Sequence, residues 1–208
     1  MLAAESRSMP TAAAQSHHRM TVAEFLDWSE EQPGGVRYEL VAGAPVRLMA
    51  PTNIRHARIQ RNVSDALRAA IAASGRSCEV FDAGPGIALG PDGDECRIPD
   101  VVVTCATEID EAARLVPDPV IVVEVASPST RLADVNDKVE FYGGLASVQH
   151  YLVIEQDRRR AVYHGRGPSG GLEPRILRGG EIALDPPGIR LALDDFYRDI
   201  DIAEPGRR

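Results

Sequence analysis

Lysine is almost missing from this chain: of 23 basic side chains only Lys138 is a lysine, and the other 22 are arginine. Long apolar runs are missing too. None approaches the roughly 18–20 residues that a membrane helix needs. The longest candidate, Pro119 to Ala126, is of strand length and contains Glu124, so no membrane association is expected. Residues 1–19 mix Ala, Ser, Glu, Arg and His without the apolar segment of a signal peptide. They are expected to form a disordered tail ahead of one domain spanning 20–208. Cysteine is scarce: Cys78, Cys96 and Cys105 are odd in number and form no Cys-x-x-Cys pair. That argues against a zinc knuckle and fits a reducing, cytoplasmic setting. Ser127 and Ser129 lie in no Gly-x-Ser-x-Gly elbow, so a serine hydrolase is disfavoured. The glycines at 84–86 and 165–171 are not followed by Gly-Lys-Ser/Thr, so they read as turns rather than phosphate loops. Positive charge is also short. The formal net charge is −8, awkward for a protein that grips phosphate, and any nucleic-acid contact would need a local basic patch.

What is present suits one soluble α+β domain. The chain is 44% hydrophobic and 26% charged over 208 residues, enough for a single core. Thr21-Val-Ala-Glu24 is a capping box that opens a short helix to about Glu31. Val36 to Val41 and Pro45 to Met49 flank a turn and predict a β-hairpin. Apolar residues between Asn53 and Ala73 recur with helical period, and Gly75 closes that helix. Short strands follow at 77–82 and 86–89. Ile98 to Cys105 and Val120 to Ala126 are β-branched runs, which fit central strands covered on both faces. A helix over 130–142, a hairpin over 151–164 and weaker edge strands at 175–177, 182–184 and 189–191 complete the expectation, with a terminal helical turn at 194–197. Arg158-Arg159-Arg160 follows the hairpin turn and reads either as a solvated edge or as a contact to a nucleic-acid backbone.

Two acids sit where packing does not want them. Asp100 opens the run Val101-Val102-Val103, and Glu124 lies inside Val120 to Val125. Carboxylates are costly to bury unless paired or bound to metal, and hard oxygen ligands suit Mg²⁺ or Mn²⁺. The alternative is that both stand at strand ends and face water. The lone lysine adds a clue, because a compact ammonium can place or activate a water in a way a planar guanidinium does badly; survival by chance is the plain alternative. Asp134, Lys138 and Tyr142 are spaced four apart and share one helix face, which equally fits an ordinary surface pair.

Together, Tyr38-Glu-Leu-Val-Ala-Gly43, Pro51-Thr-x-x-x-His56, Ile98-Pro-Asp-Val-Val102, Val122-Val-Glu-Val-Ala-Ser-Pro-Ser-Thr130 and Asp134-x-x-x-Lys138-x-x-x-Tyr142 resemble the Uma family of the PD-(D/E)XK, restriction-endonuclease-like superfamily. The resemblance covers roughly residues 20–200. It implies a mixed central β-sheet flanked by helices and a metal-dependent endonuclease that hydrolyses DNA phosphodiester bonds. It implies Asp100 and Glu124 as ligands of Mg²⁺ or Mn²⁺, with the Val125 carbonyl completing the shell. Lys138 takes the lysine's part, since Ala126 occupies the superfamily's usual lysine position. Glu39 matches an upstream acid, which makes it a further catalytic candidate. His56, Asp134 and Tyr142 are accessory candidates, with Tyr142 expected mainly to pack. A homodimer is the assembly the superfamily suggests. Two other readings stay open: a nuclease fold that binds without cutting, and a metal-dependent hydrolase of a small phosphoester, whose pocket would be closed.

Overall fold

The computed structural model describes residues 18–34, 36–48, 53–82, 84–126 and 132–202, with side chains of the last segment from Val135 onward. Helix α1 (Val22–Glu30) begins at the expected capping box: Thr21 Oγ1 accepts the Glu24 N–H, and the Glu24 carboxylate accepts the Thr21 N–H. Strands β1 (Tyr38–Val41) and β2 (Ala44–Arg47) form the expected hairpin. Helix α2 (Ile54–Ser74) is capped by Asn53 and stopped by Gly75, whose φ of +67° is a left-handed conformation that glycine adopts without strain.

Strands β3 (Glu79–Asp82), β4 (Ile87–Ala88), β5 (Cys96–Arg97), β6 (Val101–Thr104) and β7 (Pro119–Ala126) follow. Then come helix α3 (Leu132–Gly144), strands β8 (His150–Glu155), β9 (Ala161–Arg166), β10 (Leu172–Leu177), β11 (Glu181–Leu184) and β12 (Ile189–Ala192), and a 3-10 turn at Leu193–Tyr197.

Six strands make the main sheet, in the order β10-β9-β8-β7-β6-β3. Strands β7 and β8 run parallel because α3 carries the chain back across the sheet between them. The neighbours on either side pair antiparallel, so the sheet is mixed, as the expected fold class requires. The pleat sorts β7 by parity. Ile121, Val123 and Val125 pack towards α2, against Ile59, Val63 and Leu67. Val122 points the other way, into a second core with Phe141, Tyr142 and Tyr151. Each such buried aliphatic side chain contributes about 1.5–3 kcal/mol. Glu124 shares the parity of Val122 and therefore faces α3.

A smaller sheet, β2-β1-β5-β4, lies under α1, with Val22, Phe25, Leu40 and Cys96 as its core. Sequence reading missed β5 and the sheet it completes. It also placed β11 and β12 as edge strands, whereas they form a separate two-stranded sheet. Arg19, read as part of the expected tail, donates to the Ala42 carbonyl and pairs with Asp94; residues 1–17 lie outside the described segments. The cysteines also depart from expectation. Pairing of β3 with β6 brings Cys78 and Cys105 together as a disulfide, leaving Cys96 as the free, buried thiol. No described helix is long and apolar enough to cross a membrane.

Candidate active site

Register explains why Asp100 and Glu124 meet. Strands β6 and β7 pair Val101 with Val123 and Val102 with Val122. Asp100 directly precedes that ladder, close enough to Glu124 for its charge to be felt there. Glu124 faces α3, whereas the Asp100 carboxylate turns to α2. The Val125 N–H donates to Asp100 Oδ2 at 2.7 Å, so one carboxylate is pinned to the strand that carries the other.

Asp100 is held on its second oxygen as well. His56, from the first turn of α2, bonds Asp100 Oδ1 through Nε2 at 2.9 Å. The Asn53 side chain caps that turn by accepting the His56 N–H. One turn further on, Gln60 donates to the Asp100 carbonyl at 2.9 Å. On the far side of His56, the buried Gln156 amide donates to Nδ1 at 3.4 Å. A carboxylate oxygen accepts and an amide N–H donates, so Nε2 donates to Asp100 and Nδ1 accepts from Gln156.

Glu124 is gripped from α3. Lys138 Nζ donates to Glu124 Oε1 at 2.6 Å, and the Tyr142 hydroxyl donates to the same oxygen at 3.0 Å. The four-residue spacing of Lys138 and Tyr142 stacks both on the helix face that meets β7. Burial pushes the Glu124 carboxyl above its ordinary value; Lys138 pulls it back, and Asp100 pushes it up again. For Lys138, burial works against the charge, but Glu124, Glu39 and Asp100 more than offset it, and the ammonium is held above its ordinary value. The Tyr142 hydroxyl is fully buried and held well above its ordinary value, first by burial and then by the Glu124 charge. Tyr142 therefore packs, as expected, and also anchors Glu124, which was not expected.

Glu39 comes from the smaller sheet. Its Oε1 accepts the Ile98 N–H at 2.9 Å, and its Oε2 lies 3.8 Å from Arg97. It thus fixes the link from β5 to β6 two residues before Asp100, and its charge is felt at Glu124, Lys138 and Tyr142. The Asp134 side chain lies outside the described residues. The structure therefore brings together Glu39, His56, Asp100, Glu124, Lys138 and Tyr142 from five elements or their ends. Gln60 and Gln156 join them and were not anticipated. Gln60 had a faint signal, four residues after His56 on the same helix; Gln156 had none, since it reads as a turn residue.

Among the described residues, no group of three or more His, Cys, Asp or Glu side chains stands ready-made to hold a metal ion. The donor chemistry still fits a hard cation. Mg²⁺ commonly takes one or two carboxylates and fills its remaining positions with water and substrate phosphate, and Asp100 and Glu124 supply that pair. A cavity of about 900 Å³ lies between α1 and residues 108–119 and contains neither of them.

A family model, Uma2, described as "Putative restriction endonuclease", matches residues 22–195. The chain belongs to the Uma2 family. An uncharacterized protein of Synechocystis sp. is 25% identical over 183 residues, spanning 88% of this chain and 93% of that one. A crystal structure from Anabaena variabilis, titled as a putative nuclease belonging to DUF820, superposes with a TM-score of 0.64 at 17% identity, covering 85% of this chain and 97% of that one. The Uma2 domain here thus has a mixed α+β, restriction-endonuclease-like fold.

Proposed function

We propose that this Uma2 protein is a metal-dependent endonuclease that hydrolyses DNA phosphodiester bonds at the Asp100–Glu124 edge of the main sheet. The observation that carries the reading is convergence: β7, α3 and the residue leading into β6 bring two carboxylates within reach of each other's charge, beside the chain's only lysine. Asp100 and Glu124 would hold Mg²⁺ or Mn²⁺. The Val125 carbonyl is a suitable third donor, because it projects on the same strand edge as the Val125 N–H that already bonds Asp100. A divalent ion there supplies Lewis acidity and a water that ionises near neutral pH.

The chain's own side chains do the rest. His56 and the Val125 N–H hold Asp100 in one orientation from either side. Tyr142 and Lys138 do the same for Glu124. Lys138 stays protonated among three carboxylates, so its ammonium is placed to orient a water or to stabilise charge developing on a phosphate oxygen. Glu39 adds to the field that keeps it charged.

The test is cleavage of plasmid, single-stranded DNA and RNA by purified protein with Mg²⁺ or Mn²⁺, beside Asp100→Asn and Lys138→Ala. Duplex cleavage should need the ion and fall at least 10²-fold in Lys138→Ala, the scale for losing one charge-stabilising donor. Cleavage that persists in both variants would place the chemistry elsewhere. The charge of −8 favours a second reading, a nuclease fold that binds without cutting. Metal-independent DNA binding with no cleavage of any substrate would select it.

A further inference from the structure

Several arginines of this acidic protein, Arg19, Arg68, Arg114, Arg160 and Arg190, each lie within 4 Å of a carboxylate. The first half of α2 gathers on one helix three arginines that do not. Arg55, Arg58 and Arg61 are exposed, and none meets a carboxylate among the described residues. No acid occurs between Asn53 and Ser64, and the first to follow is Asp65, one turn after Arg61, so this stretch carries three arginines without an ion pair among the described residues, on a chain of net charge −8. Arg58 and Arg61 stand four and seven residues after Ile54, on the helix stripe turned away from the core. Ile54 itself is 74% exposed, an apolar side chain set among the arginines.

The position of this stripe matters as much as its charge. It starts at the turn that delivers His56 to Asp100. The Gln156–His56 contact also brings the β8–β9 turn against the same corner, and Arg158 in that turn is exposed, with only its neighbour Asp157 at 3.9 Å. Two basic elements therefore meet beside the candidate site.

We propose that the outer face of the first turns of α2, through Arg55, Arg58 and Arg61, is the surface that tracks the phosphate backbone of duplex DNA as it enters the Asp100 site. This rests on the nuclease reading and adds where the polymer lies. Guanidinium groups suit this task because they pair bidentately with phosphate oxygens. The contact is to backbone, so it positions without reading sequence. Arg158 extends the track at its start, and Ile54 offers an apolar contact to sugar or base.

Binding without catalysis tests this. Fluorescence anisotropy of a labelled duplex is measured in EDTA across a salt series, with the full chain. The triple variant Arg55→Gln/Arg58→Gln/Arg61→Gln is compared with wild type and with a charge-matched control, Arg76→Gln/Arg178→Gln/Arg190→Gln. Circular dichroism checks that each is folded. Each phosphate contact contributes about 0.9 to the slope of log K against log salt, so the α2 triple should lose about 2.7 from that slope while the control keeps it. Equal loss in both triples, or an α2 triple that binds like wild type, overturns the surface and leaves the nuclease reading standing. Binding to phosphatidylserine vesicles through the same arginines, with none to duplex, overturns it in favour of a membrane. α2-dependent duplex binding in a protein that cleaves nothing supports the surface and removes the nuclease reading instead.

Discussion

His56 shows how a single ring can order a site. Donating from Nε2 to Asp100 commits its Nδ1 lone pair to Gln156, and Gln156 is 2% exposed with its Oε1 buried and unpartnered. In Gln156→Leu the ring should keep the Nε2 proton that Asp100 accepts but lose the donor to Nδ1, seen as a change in the Nδ1 ¹⁵N shift, while stability moves by less than about 1 kcal/mol, because the change removes a poorly satisfied amide. An unchanged Nδ1 shift would show that Gln156 does not bond the ring. Cys96 gives a second prediction. Burial first, and Glu39 next, push its thiol up to about 12, and the thiolate is the reactive form. Iodoacetamide at pH 8 should leave it unmodified in the folded protein and alkylate it in denaturant; rapid labelling of the native state would contradict its burial. At this scale the sequence was legible where chemistry conflicted with surroundings. Asp100 and Glu124 stood out as charges in apolar runs, and Lys138 as the lone lysine. Gln60 and Gln156 did not, because a polar residue on a helix flank or in a turn conflicts with nothing.

Among the elements, α2 is the best determined by its sequence, with a cap at each end and apolar period between. Gly75 has no atom within 4 Å of where a Cβ would lie, so Gly75→Ala should cost only the left-handed backbone strain, about 1–2 kcal/mol, read as a lower urea midpoint with an unchanged slope. Asparagine there should cost less. A larger loss in Gly75→Ala would mean that the turn itself rearranges. The Cys78–Cys105 disulfide closes a loop of sequence separation 27; by loop entropy it stabilises by about 3–4 kcal/mol. Cys105→Ser should lower the melting temperature by as much as dithiothreitol lowers that of wild type, and an intact mass unchanged on reduction would deny the bond. Long elements were readable because period accumulates over several turns or several pleats. Strand β5 has two residues and carries no period at all. Its place between β1 and β4 is a tertiary fact that a local pattern does not contain.

For the molecule as a whole, acid is the condition to watch. His150 is buried between the Tyr163 hydroxyl and the Pro186 carbonyl, and His164 lies against the Tyr151 ring. Burial lowers both imidazoles below their ordinary value. Both stay neutral in the fold at pH values where the unfolded chain, titrating near 6.5, already takes up protons. Their contribution is therefore intact above about pH 6.5 and is lost as pH falls from there through the depressed folded values. Denaturant midpoints should drop between pH 7.5 and pH 5, and His150→Asn should flatten part of that drop; an equal slope in the variant would assign the acid sensitivity to other groups. The global fold was legible because the β-branched run at 120–126, a helix and a further strand follow one another, the order in which α3 sets β7 and β8 parallel. The smaller sheet was not legible, since three of its four strands reveal their company only through Leu40, Cys96 and the residues they meet.

Glu39 settles how far this protein can be shortened. A fragment beginning at α2 would keep the whole six-stranded sheet, with Asp100, Glu124 and Lys138 in sequence and in register. It would lose the acceptor of the Ile98 N–H and leave the buried Arg97 guanidinium without the Glu39 carboxylate beside it. The strand end that aims Asp100 would come loose, and a cation would stand half-neutralised under it. The hairpin before α2 thus belongs to the smallest unit that can hold the site in shape, and any attempt to find a minimal active core has to start upstream of Tyr38.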